Sequence, residues 1–318
     1  MRVLITGGAG RLGINICKAF LQDGFQVRLL DLDTPRNRKS IKEFGEKIEV
    51  IWGDITQPDS VREALQEVDA VVHMAAILPP VADEKPELAT KVNVSGTKIL
   101  VDLIKETGRH IPFVFTSSAA AFGPTPNANE PLCPDKHNPC PKGVYGETKF
   151  QAENIIKESG IDYVILRLTA TMYFIFETSD LKRLFTIPLN NRVEFCHPDD
   201  TALAILNAVK KFDTVKGNTL VISGGPKQRM LYKDMISAIL RVLGLPLPPA
   251  QKFTKQPYYL DWYNTIKSQK LLHFQWKTFS DYLEDYSKEL SRQFSSLFLP
   301  FMRYFVGPIF GKIIVQLI

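Results

Sequence analysis

The chain has 318 residues, enough to bury one large domain or two joined lobes. Hydrophobic residues make up 45% and charged residues 23%, the proportions of an ordinary globular protein rather than a disordered one. The net charge of +5 is mild, and no basic block interleaved with aromatics marks a nucleic-acid footprint, so a nucleic-acid partner is set aside.

In chain order, an apolar run at 2–6 enters a glycine-rich turn, Thr6-Gly7-Gly8-Ala9-Gly10-Arg11-Leu12-Gly13. A helical pattern over 12–23 follows, carried by Ile14, Ile16, Cys17, Phe20 and Leu21. Gly7 permits the tight turn, Gly10 lets backbone approach a pyrophosphate, and Gly13 allows helix to pack on strand. A helix N-terminus placed there offers N–H groups and a positive dipole end to phosphates. The strand at 26–31 ends on Asp31, about 20 residues after the turn, where an acid holds the ribose hydroxyls of NAD. Further strands are predicted at 48–52, 70–74, 111–116 and 162–167, and further helices at 36–45, 58–67, 86–107 and 145–159. This alternation predicts an α/β chain built as a doubly wound parallel sheet of the Rossmann kind, with ligands at the carboxyl ends of the strands. Gly7, Asp31, Asp54, Ala75 and Ser118 all fall at or just after strand ends, so one site can collect them. After Arg167 the alternation weakens. The chain therefore divides into a dinucleotide-binding core (1–170), a small C-terminal substrate lobe interleaved with late core elements (171–279), and an amphipathic tail (280–318).

Tyr145 and Lys149 stand four apart and so share one face of the 145–159 helix. An ammonium beside a phenol lowers the tyrosine pKa from about 10. Such a tyrosine can exchange a proton with a carbinol oxygen near neutral pH.

These stretches carry a resemblance. The chain resembles an extended short-chain dehydrogenase/reductase, the group of NAD-dependent epimerases and dehydratases. Thr6 to Gly13 is similar to its glycine-rich turn, where Gly7, Gly10, Arg11, Leu12 and Gly13 are implied to line the cofactor. Gly53-Asp54-Ile55 resembles the segment that contacts the adenine, and Val72-His73-Met74-Ala75-Ala76 the strand end beside the cofactor ribose. Asn93-Val94-Ser95-Gly96-Thr97 resembles the helix that carries a structural active-site asparagine. Phe115-Thr116-Ser117-Ser118 leads to Phe122-Gly123, which implies Ser118 as the catalytic serine. Phe195-Cys196-His197-Pro198-Asp199-Asp200 resembles a later family segment. The likeness covers about residues 1–245. It implies that Tyr145 exchanges the proton on the substrate oxygen, that Ser118 hydrogen-bonds that oxygen, and that Lys149 contacts the nicotinamide ribose and tunes Tyr145. It also implies a small-molecule substrate and a homodimer formed through two helices, one of them the tyrosine helix.

Asp31 favours NAD over NADP, because a carboxylate repels a 2′-phosphate. Arg36, Arg38 and Lys39 follow within reach and keep NADP open; Arg11 can touch either phosphate. Ala119 and Ala120 follow Ser118 where the sugar 4,6-dehydratases of the family carry an Asp-Glu pair, so no acid is available there to expel water. Ala170 stands where nucleotide-sugar enzymes have an asparagine, and Met172-Tyr173-Phe174-Ile175-Phe176 replaces their Tyr-Gly-Pro. These departures weaken a large nucleotide-sugar substrate. They leave oxidation or reduction of a secondary alcohol or ketone, or epimerisation through a transient ketone. A nucleotide-sugar epimerase with tightly bound NAD, a membrane-associated sterol- or lipid-type dehydrogenase, and a non-catalytic dinucleotide sensor are the alternatives.

Cys133, His137 and Cys140 have a metal-like spacing but no evident fourth ligand, so no metal is expected. Four cysteines, widely placed, read as reduced thiols of a cytosol, and the opening strand leaves no room for a signal peptide. Asp199 or Asp200 is expected to cap a helix that starts near Thr201. Ser280 is expected to cap a helix with an apolar stripe at Tyr282, Leu283, Tyr286, Leu290, Phe294 and Leu297. Residues 297–318 are aromatic and basic. They read as an interfacial membrane anchor, a subunit or lobe contact, or a transmembrane segment.

Overall fold

The computed structural model describes residues 1–125, 128–173 and 184–293. The apolar runs of the first half fold as parallel strands: β1 (Arg2–Thr6), β2 (Gln26–Asp31), β3 (Ile48–Trp52), β4 (Ala70–His73), β5 (Phe113–Ser118) and β6 (Tyr163–Leu168). Three later strands, β7 (Ala170–Thr171), β8 (Arg192–Cys196) and β9 (Thr219–Ile222), precede a fourth, β10 (Arg229–Leu231). The main sheet has seven strands in the order β3-β2-β1-β4-β5-β6-β9, every pair parallel. Strand order reverses direction at β1 and β4, which opens a crevice at their carboxyl ends. Leu4, Ile5, Val71, Val72, Phe113 and Val114 are shielded on both faces, which is why these strands read as unbroken apolar runs.

Helices cover both faces. On one side Ile16, Cys17 and Phe20 of the Arg11–Gln22 helix pack with Ile205 and Val209 of the Pro198–Lys210 helix. On the other, Val61, Leu100, Ile104, Ala152 and Ile156 pack against Leu4, Val71 and Phe115. A smaller sheet, ordered β10-β8-β7, forms the base of the second lobe. Its core joins Phe195 to Tyr232, Ile236 and Ile239, and to Tyr282 and Tyr286 of the Phe279–Gln293 helix. Phe195 meets Phe279 edge-on with ring centroids 5.1 Å apart, a favoured aromatic geometry.

Several boundaries differ from the expectations. The helix expected over 36–45 spans Pro35–Ile41, capped by Thr34, whose hydroxyl accepts the Asn37 N–H. A 3₁₀ segment, Lys42–Lys47, then turns through Gly45 at φ +54°. The helix expected over 86–107 contains a π-helical stretch, Lys91–Gly96, between α-helical Pro86–Thr90 and Thr97–Glu106. The helix expected near Thr201 starts at Pro198, and neither aspartate caps it. His197 does so, through Nδ1 accepting the Asp199 N–H at 3.1 Å. Asp200 reaches across to the backbone N–H groups of Trp276 and Lys277 instead. Ser280 is not the cap of the final helix. Thr278 and Asp281 exchange side-chain-to-backbone bonds in a capping-box arrangement that starts it two residues earlier. Phe174 to Phe176, Phe294, and the tail 297–318 lie outside the described residues.

Candidate active site

The glycine-rich turn closes the gap between β1 and the Arg11–Gln22 helix. Gly7 has φ +73°, and a Cβ there would stand 2.8 Å from the Ala75 Cα. A Cβ on Gly13 would fall 2.2 Å from the Gly8 carbonyl oxygen, so only glycine lets the helix come this close. No side chain caps the helix at Gly10 and no acid occupies its first turn. The helix's own first turn therefore sets no carboxylate against its N-terminal N–H groups and dipole, as phosphate binding requires. Arg11 and Leu12 open this helix and are half-buried.

Asp31 ends β2 and braces the same turn. Its Oδ2 accepts the Ala9 N–H at 2.8 Å, and its Oδ1 accepts from Leu32 N–H and Asn37 Nδ2, both at 2.9 Å. Burial pushes this carboxyl up despite those bonds. Asp54 turns the chain after β3 by accepting the Thr56 N–H at 2.8 Å. Ile55 is buried beneath Gly96, whose missing Cβ would stand 3.0 Å from it. Ala75 and Ala76 follow β4 and are half-buried; the Ala75 N–H donates to the Thr6 hydroxyl at 3.2 Å.

His73 is fully buried between Thr6 and Thr97, its ring nitrogens 2.7 and 2.9 Å from their hydroxyls. Thr97 gives its own hydrogen to the Asn93 carbonyl, so His73 Nε2 donates to Thr97 and Nδ1 accepts from Thr6. Burial first, and the Lys149 charge second, hold this imidazole down to about 3. It ties β1 to Thr97, the first α-helical residue after the π-helical stretch, as a neutral ring. Asn93 sits in that stretch with its amide accepting from Ile77 N–H at 2.7 Å and donating to the Ile77 carbonyl at 3.1 Å. It also donates to the Thr148 hydroxyl at 3.0 Å, which locks it to the tyrosine helix.

Tyr145, Thr148 and Lys149 lie on the Gly143–Glu158 helix. Gly146 presses that helix onto the residues after Ser118: a Cβ there would stand 2.7 Å from the Ala120 carbonyl oxygen. Tyr145 is half-buried on this contact. Ser118 is buried, and its Oγ accepts the Ala120 N–H at 3.1 Å, which leaves its hydrogen to donate. Lys149 is 2% exposed, with Nζ 4.2 Å from the centroid of the Phe115 ring. No carboxylate lies within ion-pair distance of it among the described residues. Desolvation pulls its ammonium down to about 7, against the opposing field of Glu153. A buried cation that rests on a ring face and lacks an anionic partner suits ribose hydroxyls, so the residues present fit a pyridine nucleotide.

Sequence reasoning missed what anchors this helix. Glu153, one turn beyond Lys149, is fully buried and pairs with Arg167 of β6 through two bonds of 2.9 and 2.8 Å. Ser117 adds a third at 2.6 Å, and Arg167 stacks 4.5 Å over Phe122. Arg167 and Ser117 hold this carboxyl below its usual range despite burial. Its spacing from Lys149 was the available signal; its partner, on a strand, had none.

His137 bonds the Cys133 backbone and Cys140 is exposed. His197, Asp199 and Asp285 bring ligand-type atoms within 4.8 Å of one another. The Lys277 ammonium already lies 2.7 Å from Asp199 and 2.9 Å from Asp285 and satisfies both charges.

A doubly wound parallel sheet with a glycine-rich turn after β1, an acid ending β2, and Ser118 ending β5 defines a dinucleotide-binding class of fold. Residues 3–174 match the NAD dependent epimerase/dehydratase family, and the chain belongs to it. Protein y4nG of Sinorhizobium fredii is 35% identical over 229 residues, 66% of this chain and 54% of its own length. The D-erythronate dehydrogenase of Cupriavidus necator is 29% identical over 184 residues, 53% of this chain and 54% of the relative. The chain thus spans about half the length of the curated relatives it matches. Among solved structures, a Bacillus cereus UDP-glucuronic acid 4-epimerase in complex with UDP-glucuronic acid and NAD shares the fold. Its TM-score is 0.76 at 24% identity, over 91% of this chain and 100% of that one. Among the described residues, no helix is long and apolar enough to cross a membrane.

Proposed function

We propose that this chain is an NAD-dependent oxidoreductase acting on a secondary alcohol or ketone, with Tyr145 as acid/base. The observation that carries the reading is the buried Lys149 ammonium, one helical turn from Tyr145 and without a carboxylate partner. When bound, NAD supplies hydride exchange between its nicotinamide and the substrate carbon. The turn from Gly7 to Gly13 holds the pyrophosphate, Asp31 the adenine-side ribose, Asp54 and Ile55 the adenine, and Ala75 and Ala76 the inner ribose. Lys149 donates to the nicotinamide ribose, and its charge favours the Tyr145 phenolate. Tyr145 takes the proton from the substrate hydroxyl during oxidation, or returns it during reduction, while Ser118 donates to the same oxygen as charge develops. Asn93 braces the helix that presents Tyr145.

Net redox is favoured over epimerisation by a relative named as a dehydrogenase, while Ala119 and Ala120, which supply no acid next to Ser118, argue against dehydration. NAD retained through purification would instead favour the epimerase reading. Homodimerisation through the tyrosine helix, a cytoplasmic location and peripheral membrane contact through 297–318 complete the proposal. The aromatic and basic composition of that tail supports the last of these. Tyr145→Phe decides between enzyme and sensor. It should lower kcat by roughly 10²–10⁴-fold while NAD affinity, read by titration calorimetry, stays within about threefold. Turnover unchanged by the substitution would remove the catalytic reading.

A further inference from the structure

The loop after β2 holds a charge arrangement that the reaction itself does not need. Asp33 lies two residues beyond Asp31, and both of its oxygens face one guanidinium: Arg38 Nε is 2.5 Å from Oδ1 and Nη2 is 2.8 Å from Oδ2. The same guanidinium lies over Trp52, its carbon 4.9 Å from the ring centroid. Trp52 ends β3, just before Gly53 and Asp54. The loop backbone is fixed as well. Asn37 ties Asp31 to the Leu32 carbonyl at 2.9 Å, and Ser40 donates to the Ala9 carbonyl at 2.7 Å. Arg38 is therefore an arginine beside the adenosine end of the site whose fork is already filled by a carboxylate.

An arginine in this region is the usual acceptor of a 2′-phosphate, and it works by presenting a bidentate fork to phosphate oxygens. That phosphate brings a charge of about −1.5 to −2 near neutral pH. Here it would meet Asp31, Asp33 and an Arg38 whose charge Asp33 has neutralised. Asp33 and Arg38 are both about half exposed, so the pair contributes little to stability, and its consequence lies in recognition. We propose that Asp33 determines cofactor choice: by occupying the Arg38 fork it reserves the site for the cofactor lacking a 2′-phosphate, and its removal turns Arg38 into a 2′-phosphate acceptor. The inference rests on the NAD reading of the proposed function.

The full-length protein and its Asp33→Asn, Arg38→Met and Asp33→Asn/Arg38→Met variants test it, with NAD and NADP binding measured by titration calorimetry. Adenosine 2′,5′-bisphosphate against AMP serves as a probe pair that needs no nicotinamide. Wild type is expected to bind NAD at least about tenfold more tightly than NADP. Asp33→Asn should narrow that ratio at least about tenfold, mainly by tighter NADP binding, and the double variant should lose the gain. A ratio unchanged in Asp33→Asn overturns the inference alone, provided wild type binds NAD. A gain that persists in the double variant overturns it too, because removed repulsion would then suffice. A wild type that binds neither nucleotide sinks the cofactor reading and this inference together.

Discussion

At Lys149, burial works against charge. Packing on Phe115 returns only about 0.5–2 kcal/mol as a cation–π contact, less than burial of a lone ammonium costs. The deficit appears as a pKa of about 7 in the free protein. At pH 8 most molecules then carry a neutral lysine. Donation to ribose hydroxyls stabilises the ammonium and pulls a proton back on. NAD binding at pH 8 should therefore take up at least about half a proton, since the group sits roughly one unit above its pKa. Calorimetry in two buffers of different ionisation enthalpy reads that uptake directly. Lys149→Met should abolish it; uptake that survives the substitution, or none in wild type, would assign the proton elsewhere. Ser118 is the instructive contrast. It keeps the ordinary strand-end bond to Ala120 and still has a hydrogen to give, so that bond leaves the hydroxyl able to serve the proposed catalysis.

At the scale of elements, the tyrosine helix is held by three sequence features: Gly146 against Ala120, Thr148 against Asn93, and Glu153 against Arg167. The last is a buried ion pair, and such pairs cost most when one partner is removed. Glu153→Ala should destabilise the fold by about 3–5 kcal/mol in urea titrations. Replacing Glu153, Arg167 and Ser117 together with Leu, Met and Ala should cost far less, because no unpaired charge remains. Equal losses in the two variants would show that packing, not charge, holds the helix. This pair also marks where sequence reasoning stopped. Strands β1 to β6 were legible because burial on both faces leaves an unbroken apolar run. The positions of Ser118, Tyr145 and Lys149 were legible because strand and helix periods put the first at the end of β5 and the other two on one helix. The Glu153–Arg167 pair joins a helix to a strand, and no period links two elements that meet only in space. The π-helical stretch at Lys91–Gly96 was equally hidden, since its composition is that of an ordinary helix. His197 was missed as a cap because Asp199 and Asp200 are better cap residues by propensity, yet tertiary partners claim both.

For the molecule as a whole, the free protein's stability against pH should carry the signature of its own site. Lys149 is held near 7 in the fold but returns to about 10.5 when the chain unfolds. Between those values the unfolded state binds the extra proton, so stability rises with pH there. Two buried thiols act in the opposite sense. Cys17, pushed up to about 12, and Cys196, raised further, keep their protons in the fold above pH 9, where unfolded thiols begin to lose them. Tyr263, also raised by burial, adds to that loss above about 10. His73 is already neutral in both states once pH exceeds its unfolded value of about 6.5. The window from pH 7 to 9 thus belongs to Lys149. Urea midpoints should climb across it with a slope approaching one proton, about 1.4 kcal/mol per pH unit, before flattening as the thiols begin to oppose it. Lys149→Met should be flat over the same window and more stable than wild type at pH 7, where burial of the ammonium is most costly. A wild-type profile without slope would mean that Lys149 finds a partner in solution. Its charge would then not be waiting for a ribose, nor be available to Tyr145.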